Sequence, residues 1–310
     1  SSAASDVYKR QVLYVGFPLA LYESLNQLFK ILDTMMAAHI SANAVSTVAY
    51  LSQINMAISA LGGGLAVGAS IKISEAYGEG NFELVKRRVS TLFALCGLLG
   101  MAILAILIPV APQFLRLANT PEEFIEEGTV YFILELVSLV IIFFNNVYIA
   151  IERARGNSKR ILNLNMMVIG IKLSLTAFFV YVLKGGINYI SIATIVSQLA
   201  LLGVAVFYMN EKENVFGFSW KAISFRKLVV APMIKLSVPV IVEKMAFSLG
   251  KVVVNSMSTV YGTLTVGALG ISNNIGGITT NPQNGFQEGA SANVSYTHLR
   301  AHETPEHLVC

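Results

Sequence analysis

Five residues near the start of this 310-residue chain are the best equipped for chemistry: Glu23, Asn26, Gln27, Lys30 and Asp33. They lie inside an apolar stretch. The spacings of three, four and three put Glu23, Asn26, Lys30 and Asp33 on one helical face. Carboxylates, an ammonium and amides on one stripe can bind a cation, pass a proton or hold a polar ligand. A charge turned toward lipid is costly, so the stripe must face protein or a wet cavity. Lys30 and Asp33 are one turn apart and are expected to pair. Asp33 is the best single candidate for a group that gains and loses a proton, or exchanges it for sodium. The plainer alternative is a structural ion pair that fixes helix register.

The stripe has a counterpart. Pro18 recurs as Pro239, Lys30 as Lys251 and Ile54 as Ile275, and Gly64-Leu-Ala-Val-Gly68-Ala69-Ser70 recurs as Gly285-Phe-Gln-Glu-Gly289-Ala290-Ser291, all at one offset of 221 residues. The second copy carries Glu243, Lys251 and Asn255 at spacings of eight and four. Lys251 has no acid within one turn of its own helix, so its partner must come from elsewhere. Polar stripes at matching places in two copies favour function over register fixing. A membrane protein of two like halves is the usual build of a secondary transporter, with its site where the halves meet. Glu135 and Lys172 are expected to pair or to snorkel, and Glu75 to be a solvated cap. Glu288 replaces Val67 of the first copy.

The elements that must position these groups are membrane helices. Hydrophobic residues make up 55% and charged residues 13% of the chain, with mean hydropathy +0.64. A soluble chain carries about 25% charged residues. Eight stretches reach the roughly 20 residues that a span requires: approximately 12–37, 45–73, 88–112, 127–150, 162–184, 187–209, 232–260 and 264–294. Twelve Lys and Arg residues fall in the loops after the second, fourth and sixth spans, from Lys86 to Lys235. The intervening loops hold only Arg116 and Lys184, and Glu122, Glu123, Glu126 and Glu127 join Arg116. This bias predicts a cytoplasmic N-terminus. The offset covers six spans, an even number, so both copies enter the membrane in the same direction, as parallel repeats do. Residues 211–231 join the halves. Phe216, Phe218, Trp220 and Phe225 there alternate with Lys221, Arg226 and Lys227, which suits either a stretch lying in the interface or a plain linker.

The net charge of +4 does not signal nucleic acid, because the basic residues sit in short loops between spans. Cys96 lies in a span and Cys310 is the last residue, which gives no disulfide framework. Residues 1–11 and 295–310 resemble translated sequencing-adapter read-through, so His298, His302 and His307 are not read as a metal site. No nucleophile–base pair or phosphate-cradling loop is visible, so an enzyme is not expected. A small-molecule substrate, the bilayer and a monomer are expected, with no cofactor beyond a coupling proton or sodium ion.

Pro18 followed by Ile31-Leu32-Asp33-Thr34-Met35-Met36, Gly78-Glu-Gly80-Asn81 with Lys86, Arg155-Gly156-Asn157-Ser158-Lys159, and Pro239 with Glu243 together resemble the multidrug and toxic-compound extrusion (MATE) family over about 12–294. The resemblance implies an all-α, two-lobed bundle of parallel repeats, with eight of an expected twelve membrane helices present. It divides the chain into a first lobe at 12–210, the linker 211–231 and the start of a second lobe at 232–294. It implies a bacterial cell-membrane antiporter that expels small organic compounds, often cationic and amphipathic, against protons or sodium. Asp33 and Glu243 would be cation-coupling carboxylates, with Glu23, Asn26, Gln27, Lys30, Lys251 and Asn255 lining the cleft. A flippase for lipid-linked oligosaccharide, from the same superfamily, is the alternative that Lys30, Lys172 and Lys251 keep open. The family's fifth-helix asparagine and aspartate are missing. Ile171-Lys172-Leu173-Ser174 stands there instead, which favours protons over sodium.

Overall fold

A computed structural model describes the backbone of residues 2–211 and 214–302 and the side chains of 16–211 and 214–287. Among these residues the chain is helical throughout, with no strand. The long helices are α1 (Ser2–Ala37), α2 (Ala42–Gly78), α3 (Phe82–Leu107), α5 (Glu122–Ala154), α6 (Ser158–Ala177, running into a π turn at Phe178–Val182), α7 (Asn188–Met209), α8 (Lys227–Ser258) and α9 (Thr263–His302). Each expected span corresponds to one of them. The third was drawn too long: the helix breaks after Leu107, and Pro112 opens the short α4 (Ala111–Leu117), where a missing N–H costs nothing. Helix covers 2–11 and 295–302 as well; the side chains of His298 and His302, and all of His307, lie outside the described residues.

Local chemistry sets the helix ends. Ser41 Oγ accepts from the Ala44 N–H at 2.9 Å, and Asn81 Oδ1 accepts from the Leu84 N–H at 3.1 Å. Gly80 and Gly156 close α2 and α5 at φ of 69° and 76°, a left-handed turn that glycine adopts without strain. The two glycine-containing loop motifs are therefore helix stops followed at once by helix starts. Glu152 anchors the second of them: it is fully buried and accepts from Arg155 at 3.1 Å and Asn157 at 2.9 Å.

Among the described residues five helices (α2, α3, α5, α6 with its π turn, and α7) are long and apolar enough to cross a membrane. The remaining long helices, α1, α8 and α9, have 36, 32 and 40 residues but interrupt their apolar runs with polar and charged groups. Together with α2, those three helices build the seam between the lobes. The core of the first lobe packs α2 against α5 through Tyr50, Leu51, Phe124, Phe132, Phe143 and Tyr148. The linker folds back onto that lobe. Ser90 Oγ and Thr91 Oγ1 each accept a linker N–H at 3.0 Å, and Phe218 packs edge-on against Phe93, while Trp220 stays 80% exposed.

The two copies meet by crosswise pairing, α1 on α9 and α2 on α8. A Cβ placed on Gly64 would lie 2.9 Å from the Ile241 Cα, and one on Gly285 would lie 2.7 Å from the Ala20 Cα. Gly64 and Gly285 are repeat equivalents, and so are Ala20 and Ile241. The Ser237 hydroxyl donates to the Leu65 carbonyl at 3.1 Å, and their equivalents Gly16 and Phe286 also touch. Such self-complementary exchange is the mark of a two-fold axis. Where α2 meets α9, Gly267 abuts its own equivalent Ser46 and Gly270 abuts its own equivalent Ala49. Equivalent residues meeting at two successive levels means α2 and α9 run in the same direction along the axis. The repeats are parallel, as expected from the even number of spans; an inverted pair would match the two helices in opposite order.

The glycines allow this close approach. Gly64→Val and Gly285→Val are each expected to destabilise by about 1–3 kcal/mol through overpacking against backbone. Gly250→Val, at a site where an added Cβ meets nothing within 4 Å, serves as the control. Thermal unfolding in detergent checks the difference.

Candidate ion and substrate site

Asp33 does not pair with Lys30. Its carboxylate turns into the first lobe and forms an ion pair with Lys172 of α6, 139 residues away in sequence, at side-chain exposures of 18% and 10%. The helical spacing places Lys30 and Asp33 near each other but leaves the carboxylate a rotation that the deeper, drier partner wins. The ammonium of Lys172 also lies 5.0 Å from the centre of the Phe29 ring. Glu135 of α5 stands nearby, within the field of Lys172, and accepts from the Ser191 hydroxyl of α7 at 2.7 Å; among the described residues it forms no ion pair with Lys172. Tyr131, one turn before Glu135, is buried within the field of Glu135 and Asp33. Four helices thus converge on one buried polar network. Glu135 and Lys172, expected to pair with each other or to snorkel, instead share this network with Tyr131 and Ser191, two residues that do not stand out in the sequence. The four-residue spacing of Tyr131 and Glu135 was the available signal.

Gln27 and Thr34 of α1 face the other lobe. Gln27 is buried and donates its Nε2 proton to the carbonyl of Asn274, while its Oε1 accepts from Asn281 at 2.8 Å. The Asn274 amide donates to Thr34 Oγ1 at 3.3 Å. This polar seam ties α1 to α9. Lys30 lies between Gln27 and Thr34 on the same face yet is solvent-exposed, within reach of the charges of Glu23, Lys251 and Lys172. Glu23 and Asn26 are half-buried.

The equivalent seam between α8 and α2 differs. Asn255, the equivalent of Thr34, is 1% exposed, and among the described residues both atoms of its amide lack a hydrogen-bond partner, as does Oε1 of Gln53, the residue equivalent to Asn274. Lys251 is half-buried, with its ammonium 4.6 Å from the Phe247 ring centre. Among the described residues no carboxylate pairs with Lys251. Val254 stands where the first copy has Asp33, and Lys244 where it has Glu23. Glu243 is exposed on α8 and is not brought to Asp33. The structure therefore gathers Glu23, Gln27, Lys30 and Lys251 about the seam, turns Asp33 into the first lobe and leaves Glu243 apart. Among the described residues no three His, Cys, Asp or Glu side chains gather as a metal site.

A helix bundle of two parallel, two-fold-related copies, with its polar groups at the seam, defines the class of two-lobed multi-pass membrane transporters. The MatE family model matches residues 18–178, just over half of the chain, and the chain belongs to that family. Two relatives from Bacillus subtilis (strain 168) are similar: the probable multidrug resistance protein YoeA, 24% identical over 278 residues, and the probable multidrug resistance protein YpnP, 23% identical over 284. The alignments cover 87% and 89% of this chain, which spans only 60% and 62% of those relatives. Among solved structures, an outward-facing multidrug resistance MATE family transporter superposes with a TM-score of 0.82 at 19% identity, covering 94% of this chain and 65% of that one. An inward-facing conformation of such a transporter gives 0.78 at 20% identity, covering 93% and 66%. A Pyrococcus furiosus transporter of the same superfamily, described as having a binding pocket of reverse polarity, gives 0.74 at 19% identity, covering 95% and 69%.

Proposed function

We propose that the whole protein is a secondary active antiporter of the bacterial cell membrane, its N-terminus cytoplasmic, which exports small organic compounds in exchange for protons or sodium. The observation that carries this reading is the Asp33–Lys172 ion pair, held inside the first lobe on the same helix that forms the seam to the second. When an external ion neutralises Asp33, Lys172 loses its partner. The packing of α1 on α6 then has a different optimum in each charge state. Because α1 also carries Gln27 and Thr34 of the seam, a shift of α1 changes how the lobes meet. That supplies the differential free energy an ion needs to bias one access state over the other. Lys172 already supplies a tethered cation to Asp33, where a sodium ion would have to compete with it. Among the two ions the proton is favoured.

The test is transport of a fluorescent amphipathic dye by the whole protein in proteoliposomes under an imposed gradient. Dye movement is expected to follow a pH gradient and to collapse when a protonophore dissipates it. Dye movement indifferent to both pH and sodium gradients overturns the antiport reading.

A further inference from the structure

The polarity of the seam departs from the cationic cargo implied by the family resemblance. Lys30 and Lys251 are repeat equivalents on α1 and α8, the two helices related by the two-fold axis, and the charge of Lys251 acts on Lys30. Like charges that act on one another in a membrane protein are expensive, and such groups mark a substrate or ion path. Of the acids nearby, Asp33 is committed to Lys172 and Glu135 to Ser191, while Glu23 acts on Lys30. Among the described residues none of them forms an ion pair with Lys251. One turn beyond Lys251, the Asn255 amide is buried with neither of its atoms bonded, and Gln53 Oε1 of the facing helix is equally unpartnered. Buried amides without partners are rare in folded proteins and call for a ligand or water. The exposed Phe247 ring beside Lys251 adds an apolar surface next to the charge.

We propose that the seam binds the anionic head of an amphipathic compound, of the phosphate or sulfonate class, between Lys30 and Lys251. Asn255 donates to the same head from α8, and the apolar body lies along Phe247. An anion placed there cancels the repulsion between the lobes, so its arrival draws α1 and α8 together and its departure releases them. The proposal names the substrate class of the site read above as a transport cleft, and it rests on that reading.

The probes are two detergents with one tail and opposite heads, dodecyl phosphate and dodecyltrimethylammonium, titrated onto the whole protein in phosphatidylcholine nanodiscs. Dodecyl phosphate is expected to bind the more tightly. Lys30→Gln and Lys251→Gln should each weaken it about tenfold, the loss of one charge-assisted contact, and leave the ammonium detergent within about twofold. Lys251→Glu should reverse the preference. An unchanged melting temperature in each variant shows that folding is not the cause, and Asn255→Leu, which removes the donor but no charge, provides a second readout of the same site. Competition by phosphatidate in the nanodisc assigns the head to a lipid. Its absence assigns it to a free amphiphile, and either result supports an anionic head. Equal binding of both detergents, or a preference for ammonium that the lysine variants do not alter, overturns the proposal. Loss of gradient dependence with the phosphate preference intact counts against antiport alone. Intact antiport with no phosphate preference counts against the anionic head alone.

Discussion

Asp33→Asn is expected to abolish ion-driven transport while leaving a folded, membrane-inserted protein. The asparagine keeps the size of the carboxyl group and offers its carbonyl to the Lys172 ammonium, so the buried cation retains an acceptor. What it removes is the change of charge. Asparagine holds the site permanently in the neutral form, and a switch that cannot leave one state cannot cycle. If Asp33 instead serves only to fix α1 against α6, the substitution lowers expression and thermal stability, and transport falls in proportion to the protein that survives. Transport measured per correctly folded molecule separates the two readings. A loss of about a hundredfold or more is expected from a coupling group, because a state that must alternate is then held at one end. An unchanged rate per molecule removes Asp33 from the mechanism.

Lys172→Met should have the largest effect on stability. The ammonium is the direct partner of Asp33, and both side chains are largely buried. Removing one member of a buried pair leaves an uncompensated charge, which typically costs about 3–5 kcal/mol. The loss is expected to be greatest at alkaline pH, where the orphaned carboxylate is charged, and to shrink toward acid pH, where a proton neutralises it. Asp33→Asn combined with Lys172→Met removes both charges and should recover most of the lost stability without restoring transport. The double-mutant cycle then gives a coupling energy for the pair. Additive losses from the two substitutions, measured by thermal unfolding in the same detergent, mean that the pair contributes nothing to the fold. The equivalent test on Lys30 predicts little: it lies exposed at the seam rather than paired to Asp33.

A great deal of the architecture was legible in the residues because it depends on local and additive physics. Span length follows from bilayer thickness, and the apolar runs that meet it are visible one by one. Loop charge carries an expectation of orientation, and the 221-residue offset, with its even number of intervening spans, carried the parallel repeat. Helix ends were encoded by short signals, such as Gly80-Asn81 and Gly156-Asn157, whose effect spans only a few residues.

The pairing of charges was decided elsewhere. Lys30 and Asp33 are near neighbours on a helix, and nothing in their spacing shows that Asp33 rotates away to a lysine on α6. That choice depends on which partner is drier and better enclosed, and enclosure is set only when α1, α5, α6 and α7 have packed. Tyr131 and Ser191 joined the network for the same reason. Repeat equivalence in the sequence said that Lys30 and Lys251 occupy matching places, but not that the charge of Lys251 acts on Lys30. Nor could it say that one seam is fully bonded through Gln27, Asn274 and Thr34 while its mate leaves Gln53 and Asn255 unpartnered. Sequence alone determined the long helices and the kinship of the two copies, because each is written in a contiguous run, while the short α4 was not separated from the third span. Tertiary structure alone decided which charges meet, because a buried charge settles against the nearest partner in space, and that partner can be anywhere in the chain.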